Sequence, residues 1–424
     1  MIEITKDLSN SRALLVLLVS TLVIILVASS AFPTSFVYAK NKVKQQHGSQ
    51  SPTSSSSSSS TSYTASPSSC ITYDSTARLI TISCQSAHLS DVYNQVNNHE
   101  VLDRQPQGLW LLNANVTINK GSTLNIDPTD TNWLKIIADG TSAYGIHVYG
   151  SLKIDSVKLT SWDPHTKDYA LSHGSRETSG KITHNGTPRP YIRVESSATG
   201  TTNITNSQIA YIGYEGGWGS GTSGIHYNAG DGSVIRNNDI SHLYFGFYSK
   251  NIRNIAIENN RIHDSGHYGI DPHTGTHDMI IRNNTVYGNN GTAIICSLDC
   301  YNILVEHNVV YNNTGSGIAF TRNVTHSVIR SNYVHGQGAA IQVSRSTNDE
   351  IYNNTISNVR SGIGIINGSF DNEIHHNNII NASNPLRTDT DASKNKVYSN
   401  IVGSKSRSAS TSTTSGLDST DNSN

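Results

Sequence analysis

The chain has 424 residues, 14% of them charged, with a formal net charge of −1 at pH 7. That balance excludes a global basic field able to hold nucleic acid or an anionic membrane. With 33 Gly, 20 Tyr and only 2 Met, the composition predicts many short strands joined by tight turns rather than a helical protein.

Lys6 and Arg12 precede an apolar run from Ala13 to Ala28, and Val37-Tyr38-Ala39 offers a small-residue cleavage site. Residues 1–39 therefore read as an export signal. The apolar stretch continues to Phe32 with only small hydroxyl interruptions, so residues 13–32 also suit a membrane tether. Both readings place the remainder outside the cytoplasm, extracellular or at the cell surface. Residues 40–69 become almost all Ser, Thr and Pro from Ser51 onward, and 403–424 have the same character. Neither segment can bury a core, and both are expected to be disordered. Ten Asn-x-Ser/Thr sequons run from Asn115 to Asn381; they matter for an exported glycoprotein where the turn is exposed.

Cys70 and Cys84 flank a segment that reads as a hairpin, and a disulfide across its base is expected in an oxidising compartment. Residues 70–145 are expected to form an N-terminal β-rich cap. Its helix falls within Gln85 to Val101, where Leu89, Val92, Tyr93 and Val96 recur at helical spacing. Cys296 and Cys300 either close a small loop or stay as two buried thiols. Cysteines at these spacings do not make a zinc site.

Residues 146–402 carry a repeat, cleanest from 223 onward. Ile225, Phe247, Ile270, Ile294, Ile318, Ile341 and Ile363 are spaced by 22–24 residues. A second row runs in parallel: Asn238, Asn260, Asn284, Asn308, Asn332, Asn354, Asn378 and Asn400. A third alternating run lies between them. Each unit thus holds three short strands and cannot bury its own apolar face, whereas stacked units can. The architecture predicted is a parallel β-helix, all-β. The Asn rows are read as structural, because Asn tolerates a left-handed turn and stacked amides can bond from rung to rung.

Strand alternation then assigns directions. With the Ile row pointing inward, the residues one and three positions later point outward, as an exposed stripe. With Tyr268 two positions before the row and Arg322 and Arg345 four after it, this face collects His226, Tyr248, Lys250, Tyr268, Asp271, His273, Arg322 and Arg345, with His267 beside Tyr268. Over five or six rungs it spans on the order of 25 Å, enough for several sugar units. Cations suit an acidic polymer and aromatics suit sugar faces.

Tyr268-Gly-Ile-Asp-Pro-His273 places a phenol, a carboxylate and an imidazole on one rung. A carbon acid beside a carboxylate needs neutralisation of that carboxylate, a base and an acid, and these residue types supply all three. Re-protonation from the opposite face gives epimerisation; expulsion of the C4 oxygen gives a lyase. The hexapeptide resembles the signature of the mannuronan (alginate) C5-epimerases. Tyr211-Ile-Gly-Tyr214, Gly224-Ile-His-Tyr227, Tyr244-Phe-Gly-Phe-Tyr248, Gly291-Thr-Ala-Ile-Ile295 and Gly108-Leu-Trp-Leu-Leu-Asn-Ala-Asn-Val-Thr117 resemble segments of the periplasmic type. The resemblance implies a right-handed parallel β-helix, a catalytic centre at Tyr268, Asp271 and His273, and an acidic polysaccharide (a uronan) as substrate. His226, Tyr248, Lys250, His267, Arg322 and Arg345 are the candidate substrate contacts.

The chain departs from that pattern. Thr274 stands where the periplasmic type has Asp, Asn289-Asn-Gly-Thr292 carries no base, and Ser297 stands where the secreted type has an acid. No dense acidic run is present, so no metal or other cofactor is predicted to be required, with Ca2+ left open. A monomer is expected, with no nucleic-acid partner. A polysaccharide lyase, or a non-catalytic glycan-binding surface protein, are the competing readings.

Overall fold

The computed structural model describes residues 69–171, 187–216, 220–389 and 394–403. The segment 1–39, the linker to residue 68, Asn185, Trp218 and the tail from residue 404 lie outside the described residues. Among the described residues no helix is long and apolar enough to cross a membrane.

Short alternating segments form strands, and each rung lays down three. One rung runs through Asp239–Ser241, Phe245–Lys250 and Ala256–Glu258. The middle strand pairs in parallel with Ile270–His273, which pairs with Ile294–Ser297. The third strand of each rung joins an 11-stranded sheet, and the other two join a 24-stranded sheet. Among the described residues, antiparallel pairing of whole strands occurs at the N-terminal end, where Ile71–Asp74 meets Leu79–Ile82 and Leu102–Gln105 meets Leu109–Leu112. Cys70 and Cys84 are bonded across the first of these hairpins. Cys296 and Cys300 are free and buried.

The expected cap is continuous with the solenoid. Leu79–Ile82 already stacks in parallel on Asn115–Ile118, and that strand on Gly145–Val148. The helix is Leu89–Val96, shorter than the window read from spacing, with Leu89 and Val92 buried. It stops at Asn97, which takes a left-handed conformation (φ 46°).

The Ile row fills the core. Ile225, Phe247, Ile270, Ile294, Ile318, Ile341 and Ile363 are each at most 1% exposed. Tyr227, Cys296, Phe320 and Val343, two positions further on, are fully buried as well. Burying such side chains in every rung supplies most of the driving force for stacking.

The Asn row forms a continuous amide ladder. Nδ2 of Asn238 donates to Oδ1 of Asn260 at 2.9 Å, and Asn260 to Asn284, Asn284 to Asn308, Asn308 to Asn332 and Asn332 to Asn354 at 3.0 Å each. Each Oδ1 also accepts the backbone N–H of the preceding ladder Asn, as Asn284 accepts from Asn260 at 2.9 Å. The next member is Asn377, not the expected Asn378. Thr355 aligns with Asn378, so Asn354 donates to Asn377, which donates to Asn400. The left-handed residue is also not the ladder Asn but the one before it, as at Asn237, Asn259, Asn283 and His307 (φ 55–59°). The ladder Asn turns its amide inward, where no water can replace a lost partner.

Asn284→Ala removes the acceptor for two buried donors of Asn260. Each buried group left unsatisfied costs about 1–3 kcal/mol. We expect a clear fall in melting temperature by circular dichroism; an unchanged melt would remove the ladder from the list of stabilising interactions.

Candidate active site

Ile270–His273 lies between two parallel neighbours, with Tyr248 beside Asp271 and Lys250 beside His273 on one side. On the other side Ile270 aligns with Ile294 and His273 with Ser297, so Ile295 lies beside Asp271. Proline in a central strand removes a ladder donor. Ile270 donates to the Ala293 carbonyl and Thr274 to the Ser297 carbonyl. The intervening bond, from residue 272 to the Ile295 carbonyl, has no N–H to make it. The Cys300 thiol, which sequence reasoning did not place here, packs against this rung and donates to the Ser297 carbonyl at 3.2 Å.

Glycines let the rung pack this closely. A Cβ on Gly269 would stand 2.5 Å from the Ala293 carbonyl oxygen and 2.7 Å from Val286 Cγ1. One on Gly246 would stand 2.5 Å from the Gly269 carbonyl oxygen. The strand Phe245–Lys250 also shifts register between Gly224 and His226, with one extra residue. That bulge accompanies a run of rings. Phe245 stacks on Tyr268 (centroids 5.5 Å, 7° between planes) and on Tyr248 (5.6 Å, 16°). Tyr248 in turn contacts His273 at 5.5 Å and stacks on His226 at 4.5 Å. His267 packs edge-on against Tyr268 at 3.9 Å and contacts Tyr244 at 5.6 Å.

The stripe expected to be exposed is so at Lys250 and Arg345, but its centre is recessed. Asp271 is 2% exposed and His226 7%, and Ser297 is fully buried. Alternation sends Asp271 away from the core row as read, but Ile295 and the Tyr248 ring flank it and exclude water. Its Oδ1 is buried without a hydrogen-bond partner. Burial pushes the Asp271 carboxyl well above the usual carboxylate range, against the opposing pull of Arg322. Burial pushes His273 down to about 4, and the positive charges of Arg322 and Lys250 add to the shift. Its Nδ1 shares a hydrogen bond with Thr274 Oγ1 at 2.6 Å, which leaves Nε2 without a partner among the described residues. Burial and the neighbouring Asp271 push the Tyr268 phenol upward, while burial raises Tyr248 to about 12. Burial lowers His267, whose Nδ1 is also buried without a partner.

The remaining candidates divide by surroundings. Arg322 acts electrostatically on Asp271, His273, Tyr268 and Tyr248 together, and donates to Ser297 Oγ at 3.1 Å. Lys250 is exposed. Arg345 lines a shallow depression with Arg322, Leu298, Asp299 and Asn323. His226 has both ring nitrogens engaged, with Ser223 Oγ at 3.3 Å and Asn228 Oδ1 at 3.1 Å. Burial takes it down to about 4, so it supports Tyr248 as a neutral ring. Phe245 and Tyr244 complete the wall. Both were visible in the Tyr244–Tyr248 segment, but a bulge cannot be read from an alternating pattern. Among the described residues, the group that brings metal-ligating atoms together is Glu350, Glu373 and His375. It lies in the 11-stranded sheet, apart from the hexapeptide strand.

Residues 191–348 match the right-handed β-helix region family. A mannuronan C5-epimerase of Pseudomonas fluorescens is 24% identical over 203 residues, 46% of this chain and 35% of that protein, so the match spans about a third of the relative's length. The periplasmic alginate epimerase AlgG superimposes with a TM-score of 0.63 at 19% identity, over 77% of this chain and 85% of that one. The A-module of the Azotobacter vinelandii mannuronan C-5 epimerase AlgE4 superimposes with a TM-score of 0.52 at 14% identity, over 70% and 85%. By sequence and fold together, the chain is a right-handed parallel β-helix protein similar to the mannuronan C5-epimerases.

Proposed function

We propose that the protein is an exported polyuronate C5-epimerase that converts mannuronate-type to guluronate-type residues within a polymer. The observation that carries this reading is the rung itself. A buried carboxyl with an unpartnered oxygen lies between a phenol and a neutral imidazole, and one guanidinium acts on all of them. The similarity to a mannuronan C5-epimerase supports the substrate class. The Cys70–Cys84 disulfide supports an oxidising, non-cytoplasmic location.

In this reading the substrate carboxylate is neutralised by Arg322 and by a hydrogen bond from protonated Asp271. His273 Nε2 takes the C5 proton. The electron pair of the C5–H bond moves into the carboxylate as an enediolate. The Tyr268 hydroxyl then delivers a proton to the opposite face of C5, and the resulting phenolate is re-protonated at the expense of the His273 imidazolium, through solvent. Thr274, in place of a carboxylate, orients His273 without adding negative charge. Lys250, Arg345 and the rings of Tyr248 and His267 bind neighbouring sugars. The charge balance is met by Arg322 and Asp271, so the step requires no metal.

We expect His273→Ala and Tyr268→Phe to slow incorporation of deuterium at C5 of polymannuronate by about 10²–10⁴, the range typical of a lost proton carrier. NMR of polymer treated in deuterium oxide measures it. No exchange with the intact protein on any uronan defeats the reading. A new C4–C5 double bond with chain cleavage assigns the protein to the lyases instead.

Asp271→Asn keeps a neutral donor of the same shape, and Asp271→Ala does not. If Asp271 works protonated, Asn retains clearly more activity than Ala; equal loss would mean that the ionised carboxylate is required.

The pH profile follows from the sign of the shifts. His273 is depressed, so its basic form survives down to a pH of about 4 and is lost as pH falls through that value. The acid limb of kcat/KM in the free enzyme is therefore expected near pH 4. A limb near the ordinary histidine range, about 6.5, would exclude His273 as a neutral base in this setting.

A further inference from the structure

We infer that Lys135 and Lys158, set between Trp133 and Trp162, form a second, non-catalytic site for a carboxylated glycan chain. The four residues lie on adjacent parallel strands, Trp133–Ile137 and Lys158–Trp162. Lys158 aligns with Trp133, Thr160 with Lys135 and Trp162 with Ile137. Strand alternation therefore puts both lysines and both indoles on one side, opposite the core residues Leu134, Ile136 and Leu159.

The ammonium of Lys135 lies 3.2 Å from the centroid of the Trp162 ring and 4.1 Å from that of Trp133. Lys158 Nζ lies 4.3 Å from Trp133 and donates to the Tyr169 hydroxyl at 2.7 Å. Lys135 is only 8% exposed, yet neither lysine forms an ion pair among the described residues. Burial, and then the charge of Lys158, lower the Lys135 ammonium. In the 11-stranded sheet cations are answered by acids: Arg236 and Arg282 share Glu258, and Arg330 holds Glu306. Ring faces hold a cation but do not cancel its charge. Two neighbouring cations without an acid, bordered by indole surface, fit a ligand that carries both a carboxylate and an apolar sugar face.

A line of rings leads from this site toward the hexapeptide. Trp133 contacts Tyr169 at 6.4 Å, Tyr169 stacks on Tyr211 at 4.4 Å, and Tyr211 stacks on His242 at 4.4 Å. His242 meets His263, on the strand that enters the Tyr268 turn, at 6.3 Å. Three rungs separate Lys158–Trp162 from Arg261–His263, on the order of 15 Å along the axis. A chain long enough to rise that far along the axis and pass from the hexapeptide strand to the face of Arg261–His263 meets a second anchoring point, which raises its effective concentration. The choice of a uronan as probe rests on the epimerase reading, whereas the site itself does not.

The test compares the full protein with Lys135→Gln/Lys158→Gln and, as the milder variant at the more exposed position, Lys158→Gln alone. Binding to long polymannuronate and to a short oligomer is measured by titration calorimetry, with melting temperatures as a check on folding. We expect affinity for the long polymer to fall roughly tenfold in the double variant, the order of two charge pairs. The single variant should fall between, with kcat and short-oligomer KM unchanged. Lys135→Arg/Lys158→Arg should restore binding. Folded variants that bind the long polymer as the parent does would overturn the site, as would a parent that binds no acidic glycan. Lysine-dependent binding without any C5 exchange would keep the site while removing the epimerase reading.

Discussion

Everything in this molecule depends on parallel stacking at a spacing of about 4.8 Å. Once rungs are in register, a side chain at one position in the repeat is held against its counterparts above and below. The Ile row and the Asn amide ladder enforce that register by different physics. Apolar burial is strong but non-directional. The ladder is directional, because each amide accepts two hydrogen bonds from the rung before it, as Asn284 does from Asn260. A slip of one residue would turn the core row outward and leave buried amides unpaired.

Against that regular frame the rung of Ile270–His273 breaks several local rules at once. It carries a proline within a central strand, a fully buried carboxyl with an unpartnered oxygen, and two histidines whose basic forms burial favours. Violations of this kind are tolerated only where the surroundings over-determine the geometry. Here the neighbours do so: Gly246 and Gly269 allow close approach, the Phe245 bulge brings rings over the rung, and the Asn ladder holds register. Low local dielectric shifts carboxyl, phenol and imidazole toward their neutral forms. Proton transfer at a carbon acid beside a carboxylate needs those forms.

Charge is distributed unevenly over the faces of the solenoid. The chain is nearly neutral overall, and its 11-stranded sheet carries matched ion pairs such as Arg236 and Arg282 on Glu258. The face of the hexapeptide instead gathers Lys250, Arg322 and Arg345, and the N-terminal rungs hold Lys135 and Lys158 among indoles. Local arrays of unanswered cations are what the proposed polyanionic ligand would require, without the global positive field that would also attract nucleic acid.

The sequence by itself determined the repeat, its period, the inward Ile row, the Asn row and the Tyr268–His273 rung, because each rests on a local pattern. Periodicity also placed the hairpin at Cys70–Cys84 and the helix near Leu89. Tertiary structure alone decided that Asp271 is buried, since that depends on Ile295 and Tyr248, which lie 24 and 23 positions away in the chain. It decided that Asn377 rather than Asn378 joins the ladder, because register is set by pairing with the previous rung. It also decided that Cys296 and Cys300 stay reduced in the core, and that Trp133 and Trp162 meet across rungs around two lysines. Strand alternation gives the side of a residue; how deeply that side is covered depends on rings and bulges contributed by neighbouring rungs.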